Sequence, residues 1–153
     1  MSSRNLYNKL MQSFQTTLRI DADRADVYKA LTTKEGIMSW WTQDCDVDEK
    51  IGGQVVLRFG VMYVVMQIEK LVEDREVVWR CVEQYFRFEN VLRANEWLGT
   101  VIDFHLEKND DNTTTIIFTH EGLTQKLASY EQSNVLWTYL LHVGLKGVLE
   151  KKK

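Results

Sequence analysis

Between Gln54 and His120 apolar and polar residues alternate in short runs; beyond Ser129 the alternation gives way to a helical repeat. That switch of period constrains the fold more than any other feature. Alternating runs joined by short connections pair with their sequence neighbours as antiparallel strands. A helix that follows them must bury its apolar stripe on the sheet they form. The chain also has no proline, where average usage predicts roughly seven or eight. Uninterrupted ladders and a long helix are therefore available to it.

The runs are specific. Phe14, Thr16, Leu18 and Ile20 alternate in a first strand, which Asp21-Ala22-Asp23 ends. Asp23 and Asp26 predict a helix start, continued by Val27, Ala30 and Leu31. A second short helix is expected from Thr33 to Trp40, interrupted early by Gly36. Gly52-Gly53 opens a strand over Gln54 to Phe59, and Gly60 turns the chain into Met62 to Leu71. Strands over Glu76 to Glu83, Trp97 to Glu107 and Thr113 to His120 follow, the last two joined by a hairpin at Lys108 to Asn112. Residues 1–13 read as a lead-in with a short helical tendency, and residues 14–153 as a single domain.

Alternation also assigns faces. Met62, Val64, Met66 and Ile68 oppose Gln67 and Glu69; Val77, Trp79 and Cys81 oppose Arg80. Ile102, Phe104 and Leu106 oppose Asp103, His105 and Glu107, and Thr114, Ile116 and Phe118 share a face with His120. In the closing segment Ser129 and Gln132 match a capping box. Leu136, Leu140 and Val143 mark one edge of its apolar stripe; Trp137, Leu141 and Val148 mark the other. Gly144 and Gly147 fall within it, which predicts either close helix–sheet approach, the default, or space left for something else. The fold class is α+β: a curved antiparallel sheet, two short helices and a long C-terminal helix.

Several function classes are set aside by composition. A formal charge of −3 argues against a nucleic-acid partner. The basic run Lys151-Lys152-Lys153 reads as a solvated helix end. The longest apolar stretch, Gly60 to Met66, is too short for membrane insertion. Cys45 and Cys81 make neither a disulfide framework nor a metal set, and read as reduced thiols of a cytoplasmic protein. His105, His120 and His142 lack ligand spacing, so no metal and no cofactor are expected.

These residues resemble a known family. The order of elements is similar to the helix-grip, START-like (SRPBCC) superfamily, to which the birch-pollen allergen fold belongs. More closely, the chain resembles single-domain, bacterial-type homologues of the activator of heat-shock protein 90 ATPase. The matching stretches are Ile20-Asp21-Ala22 through Thr32, Gly36-Ile37-Met38-Ser39-Trp40-Trp41, Gly52-Gly53 and Glu96-Trp97-Leu98-Gly99-Thr100. Phe118-Thr119-His120-Glu121-Gly122-Leu123 and the segment from Trp137 through Leu149-Glu150 complete them. The resemblance implies a helix-grip fold with a cavity between sheet and closing helix. Members of the superfamily use that scaffold as lipid carriers, receptors, cyclases and cochaperones, so fold alone does not fix function.

The expected function is binding of a hydrophobic or amphipathic, lipid-like small molecule in that cavity. Trp40, Trp41, Met62, Met66, Trp79, Phe104, Phe118, Trp137, Leu140 and Gly144 are its expected walls, with His120 or Glu96 as the polar contact. One alternative is a cyclase- or hydrolase-type enzyme with His120 and Glu96 as catalytic candidates. Another is a protein-interaction module with a chaperone or transcription-regulator partner. Competing structural roles are also expected: Trp40 and Trp41 as a core plug, His120 as a hydrogen-bonded strand-end residue, and Glu96 paired with Arg80 or Arg93. His105 is expected to hydrogen-bond at the surface beside Asp103, and Cys81 to pack as a small apolar residue. Asp44 and Asp46 disfavour a thiolate at Cys45. The connection from Gln84 to Asn95 carries Tyr85, Phe86, Arg87, Phe88 and Leu92, the content of a lid, an interface or a cover over the core.

Overall fold

The computed structural model describes residues 13–87 and 95–151. Strand β1 (Ser13–Ile20) precedes helices α1 (Arg24–Thr32) and α2 (Lys34–Trp40). Six strands follow: β2 (Cys45–Val47), β3 (Gln54–Phe59), β4 (Met62–Val72), β5 (Glu76–Tyr85), β6 (Val101–Lys108) and β7 (Thr114–Glu121). The closing helix runs through α3 (Tyr130–Thr138), a π-helical stretch (Tyr139–Leu145) and α4 (Lys146–Lys151). The sheet order is β1-β7-β6-β5-β4-β3-β2, antiparallel throughout. Strands β2 to β7 thus form a meander, and β1 returns to pair with β7, with Phe14 opposite His120.

The faces expected from alternation are the observed ones. Val77, Trp79, Cys81, Ile102, Phe104, Leu106, Ile116 and Phe118 are all buried. In β4 the ladder slips between Val65 and Met66. The extra residue is Val82 of β5, so β4 keeps its alternation: Val64 and Met66 join the core, and Val65 is buried on the other face. Most strand ends fall within two residues of expectation; the start of β6 and the whole of β2 do not. β6 begins at Val101 rather than Trp97, because Gly99 adopts φ 82° and Thr100 N–H donates to the Trp97 carbonyl at 2.9 Å, closing a turn. Strand β2 escaped the alternation pattern: Asp44, Asp46 and Asp48 alternate with Cys45 and Val47, and aspartate is a poor strand former.

Asp23 stands at the N-cap position of α1 with extended backbone, but its side chain makes no cap bond. Thr33 does cap α2: its Oγ1 accepts from Gly36 N–H at 3.0 Å. Gly36 does not interrupt α2. It lets α2 cross α1 closely, since a Cβ there would lie 2.6 Å from Ala30 Cα.

The closing helix is not a uniform α-helix. Ser133, Trp137, Leu141, Leu145 and Leu149 are buried, a spacing of four residues. An α-helix turns about 400° in four residues, so such a row drifts about 40° per step away from the sheet. The wider π turn drifts the other way and returns the row to the core; Lys146 N–H reaches the Leu141 carbonyl five residues back. This change of phase leaves Val143 exposed, although a uniform α-helix puts it on the apolar edge. The close approach at Gly144 is real but is made to α2: a Cβ would sit 2.9 Å from the Trp40 carbonyl oxygen. At Gly147 a Cβ would meet nothing within 4 Å. The expected capping box is absent, as Ser129 makes no side-chain cap bond.

Candidate functional site: the tryptophan cluster around His120

All five tryptophans of the chain join one network of ring contacts. Trp40 and Trp41 come from the end of α2, Trp79 from β5, Trp97 from the turn before β6, and Trp137 from α3. Trp41 lies 5.2 Å from Trp40, 6.0 Å from Trp79 and 5.1 Å from Trp137 between ring centroids. Trp97 and Trp137 stack at 5.5 Å with planes 7° apart. Phe118 and Phe104 extend the cluster onto the sheet. Pairs of this kind add to burial about 0.5–1.5 kcal/mol each.

His120 lies fully buried at the cluster's polar centre. Trp137 Nε1–H donates to His120 Nδ1 at 3.0 Å. An indole nitrogen can only donate, so Nδ1 must be unprotonated and the proton resides on Nε2. That Nε2–H donates to Thr100 Oγ1 at 2.7 Å, and the Thr100 hydroxyl donates to the Trp97 carbonyl at 2.5 Å. Trp97 in turn donates from Nε1 to Ser133 Oγ at 2.9 Å, and its N–H is accepted by the buried Gln84 Oε1 at 2.7 Å. Burial pushes the His120 imidazolium down to about 3. The ring is therefore neutral with both nitrogens engaged.

Glu96 serves elsewhere. Its two oxygens accept from Ala128 N–H at 3.1 Å and Ser129 N–H at 2.7 Å, so it caps the closing helix from across the fold. Its expected pairing with Arg80 does not form: Arg80 donates from Nε to Glu69 at 2.6 Å and from Nη1 to the Gly99 carbonyl at 3.1 Å. Arg93, the other expected partner, lies outside the described residues, as do Phe88 and Leu92.

The remaining candidates divide between core and rim. Trp40, Trp41, Met66, Trp79, Phe104, Phe118, Trp137 and Leu140 are buried together. Met62 is half-buried against the same core, and Gly144 abuts Trp40. Trp40 Nε1–H donates to the Ala30 carbonyl at 2.8 Å. The indole N–H groups of Trp41 and Trp79 are buried and have no acceptor among the described residues. Phe86 is buried against Phe59 and Trp97, while Tyr85 packs on Tyr63 at the surface. His105 lies on the outer face with Asp103, its Nε2 3.6 Å from a Glu107 carboxylate oxygen. Burial pushes the Cys81 thiol up to about 12. Cys45 is raised by burial, with Asp46 and Asp44 adding to the effect and Lys34 opposing it. A cleft of about 320 Å³ lies between α1, α2 and α4, lined by Lys29, Ala30, Gly36 and Leu149 among others.

Thr100, Ser133 and Gln84 were missed by sequence reasoning. Only Ser133 left a signal, as the first member of the four-residue row on the closing helix.

A family model described as activator of Hsp90 ATPase homolog 1-like protein matches residues 21–150. The chain belongs to that family. Among solved structures, this activator homologue is similar to the Aha1 dimer of Colwellia psychrerythraea: 28% identity, 92% of this chain and 98% of that one covered, TM-score 0.76. An Hsp90 activator from Plasmodium falciparum shares the fold at 17% identity, with 86% and 91% of the chains covered and a TM-score of 0.65. A protein from Mesorhizobium loti does so at 12% identity, covering 92% and 98%, with a TM-score of 0.74. A search of curated proteins finds no match to the chain. The family match spans α1 through nearly all of α4 and so contains the whole tryptophan cluster of this activator homologue. Among its described residues no helix is long and apolar enough to cross a membrane, and no group of His, Cys, Asp and Glu could hold a metal ion.

Proposed function

We propose that this chain is a chaperone-related interaction module of the Hsp90 ATPase activator type, working through its outer surface. The observation that supports this reading is the interior itself. Five indoles and two phenylalanines pack where an interior site would lie, and both nitrogens of His120 are spent on structural hydrogen bonds. Glu96 likewise holds a helix end. With its polar candidates engaged in this way, the interior offers poor support for a cyclase or hydrolase, and recognition falls to the surface. Two buried cysteines without a disulfide fit a reducing, cytoplasmic setting. The test is an ATPase assay of a purified Hsp90-type chaperone with and without this protein, paired with a direct binding measurement. Stimulation that saturates with added protein is expected. Absence of both binding and stimulation sinks the proposal.

One observation favours a second reading, an apolar small-molecule site. The buried Trp41 and Trp79 N–H groups lack acceptors among the described residues, and their rings lie 6.0 Å apart. A buried donor without a partner costs about 1–3 kcal/mol, which an oxygen-bearing apolar ligand would recover. Native mass spectrometry against lipid extracts tests it. No retained species and no shift of the Trp41 or Trp79 indole resonances removes this reading.

A further inference from the structure

We propose that the outer row of the closing helix pairs antiparallel with the same row of a second copy of this chain, about a two-fold axis level with Leu141. The core sets that row. The buried row from Ser133 to Leu149 faces the sheet and is held in line by the π turn. Two residues turn a helix by about 200°. Glu131, Val135, Tyr139, Val143, Gly147 and Lys151, each two residues from a buried position, therefore form a second line on the side turned away from the core. One flank between the two lines is tied to β1: Thr16 Oγ1 and His142 Nε2 lie 3.0 Å apart, Lys146 Nζ donates to the Arg19 carbonyl at 2.7 Å, and Asp21 N–H donates to Glu150 at 2.9 Å. The other flank meets α2 at Gly144. The outer line is the side of the helix left for a partner.

That line carries the wrong residues for a face turned to water. Val135 is 69% exposed, Tyr139 61% and Val143 57%, where an amphipathic helix normally places polar side chains. Helix propensity does not ask for them either, since a β-branched valine loses rotamer freedom in a helix. Gly147 continues the line. Glycine weakens a helix, and a Cβ here would meet nothing within 4 Å, so packing within the fold does not require it. With Glu131 and Leu136, Val135 and Tyr139 line a mainly apolar depression of about 600 Å³.

The line complements itself when reversed, which is what a two-fold interface demands. An antiparallel copy sets Tyr139 against Val143, Val135 against Gly147 and Glu131 against Lys151, each pair occurring twice. All three pairs are centred on position 141. The bare Gly147 receives Val135. Glu131 and Lys151, which form no ion pair among the described residues, meet opposite charges at the two ends. A parallel copy would bring Glu131 to Glu131 and Lys151 to Lys151, and would also oppose the helix dipoles. The face is about 30 Å long and one helix, about 10 Å, wide. That is small for a specific interface, so the dimer should dissociate at about 10–100 µM. The inference stands apart from the chaperone reading, because the partner is the chain itself.

The experiment follows the full chain by sedimentation velocity from about 1 to about 500 µM, where a monomer–dimer equilibrium is expected. Tyr139→Lys should raise the dimer dissociation constant at least about tenfold while the Trp97 and Trp137 indole NMR signals report an unchanged core. Glu131→Lys and Lys151→Glu should each raise it about fivefold, since like charges then meet at both ends, and the two substitutions together should restore it. A monomer at every concentration overturns the proposal and leaves the face to a partner of another kind. A dimer indifferent to Tyr139→Lys also overturns it and puts the contact elsewhere. Charge variants that fail to compensate each other overturn the antiparallel pairing.

Discussion

Trp137 Nε1–H points at Nδ1 of His120 from 3.0 Å, and that single bond fixes the tautomer of a fully buried imidazole. The imidazole is thereby committed to passing its one proton toward Thr100. His120 works as a bracket between the closing helix, the last strand and the turn before β6. Both of its ring nitrogens are thereby engaged within the fold.

Acid should loosen this bracket. His120 titrates at about 3 in the fold against 6.5 as the ordinary value. Between those limits the unfolded chain takes up a proton that the folded chain refuses, so stability falls as pH falls. The slope from this group is up to about 1.4 kcal/mol per pH unit. Urea denaturation at pH 7, 6, 5 and 4.5 measures it. The variant His120→Gln should be less stable at pH 7 and show a shallower decline; parallel declines in the two proteins would contradict the assignment.

Glu96 and Ser129 should exchange the importance that the sequence assigns them. Glu96→Ala removes the acceptor of two N–H groups at the start of the closing helix and should cost about 1 kcal/mol. Ser129→Ala removes no cap bond and should stay within about 0.5 kcal/mol. Chemical denaturation of the two variants side by side decides the matter, and a larger loss at Ser129 would restore the capping box.

The two glycines of the closing helix should respond with opposite signs. Gly144→Ala drives a methyl group to 2.9 Å from the Trp40 carbonyl and should destabilise by about 1–3 kcal/mol. Gly147→Ala meets open space and should stabilise by up to about 1 kcal/mol through helix propensity. Thermal unfolding monitored at 222 nm, a standard helix band, would show Tm moving down in one variant and up in the other.

Neither cysteine should react while the protein is folded. The Cys81 thiol sits near 12 and Cys45 is raised as well, both first through burial. Iodoacetamide at pH 8 should label neither residue in native buffer and both in urea. Fast native labelling of Cys81 would mean that β5 opens on the timescale of the assay.

Sheet and faces were legible because alternation is a backbone property, and each buried face from β3 to β7 carries it. Positions of β2, β6 and the π stretch were not. At β2 one internal and two flanking aspartates mask two inward residues, and in the turn before β6 the Gly99 backbone overrides an apolar run. The π stretch follows from a four-residue row that matches neither 3.6 nor 3.5, a mismatch visible only once Ser133 is counted with the core. Roles at the candidate site were least legible. Whether His120 and Glu96 are free or engaged depends on Thr100, Trp137 and Ala128, which lie 20, 17 and 32 residues away. No local spacing encodes such contacts.

Synthesis of the chain runs from β1 toward β7, yet those two strands are neighbours in the sheet. About 100 residues separate Phe14 from its partner His120. At roughly 5–20 residues per second, β1 waits about 5–20 s on the ribosome before its partner has been made. Throughout that interval Phe14, Leu18 and Ile20 face water in the nascent chain. Newborn copies of this protein therefore present a sticky strand to whatever holds unfinished polypeptides, and each copy becomes whole only when its last strand closes over its first.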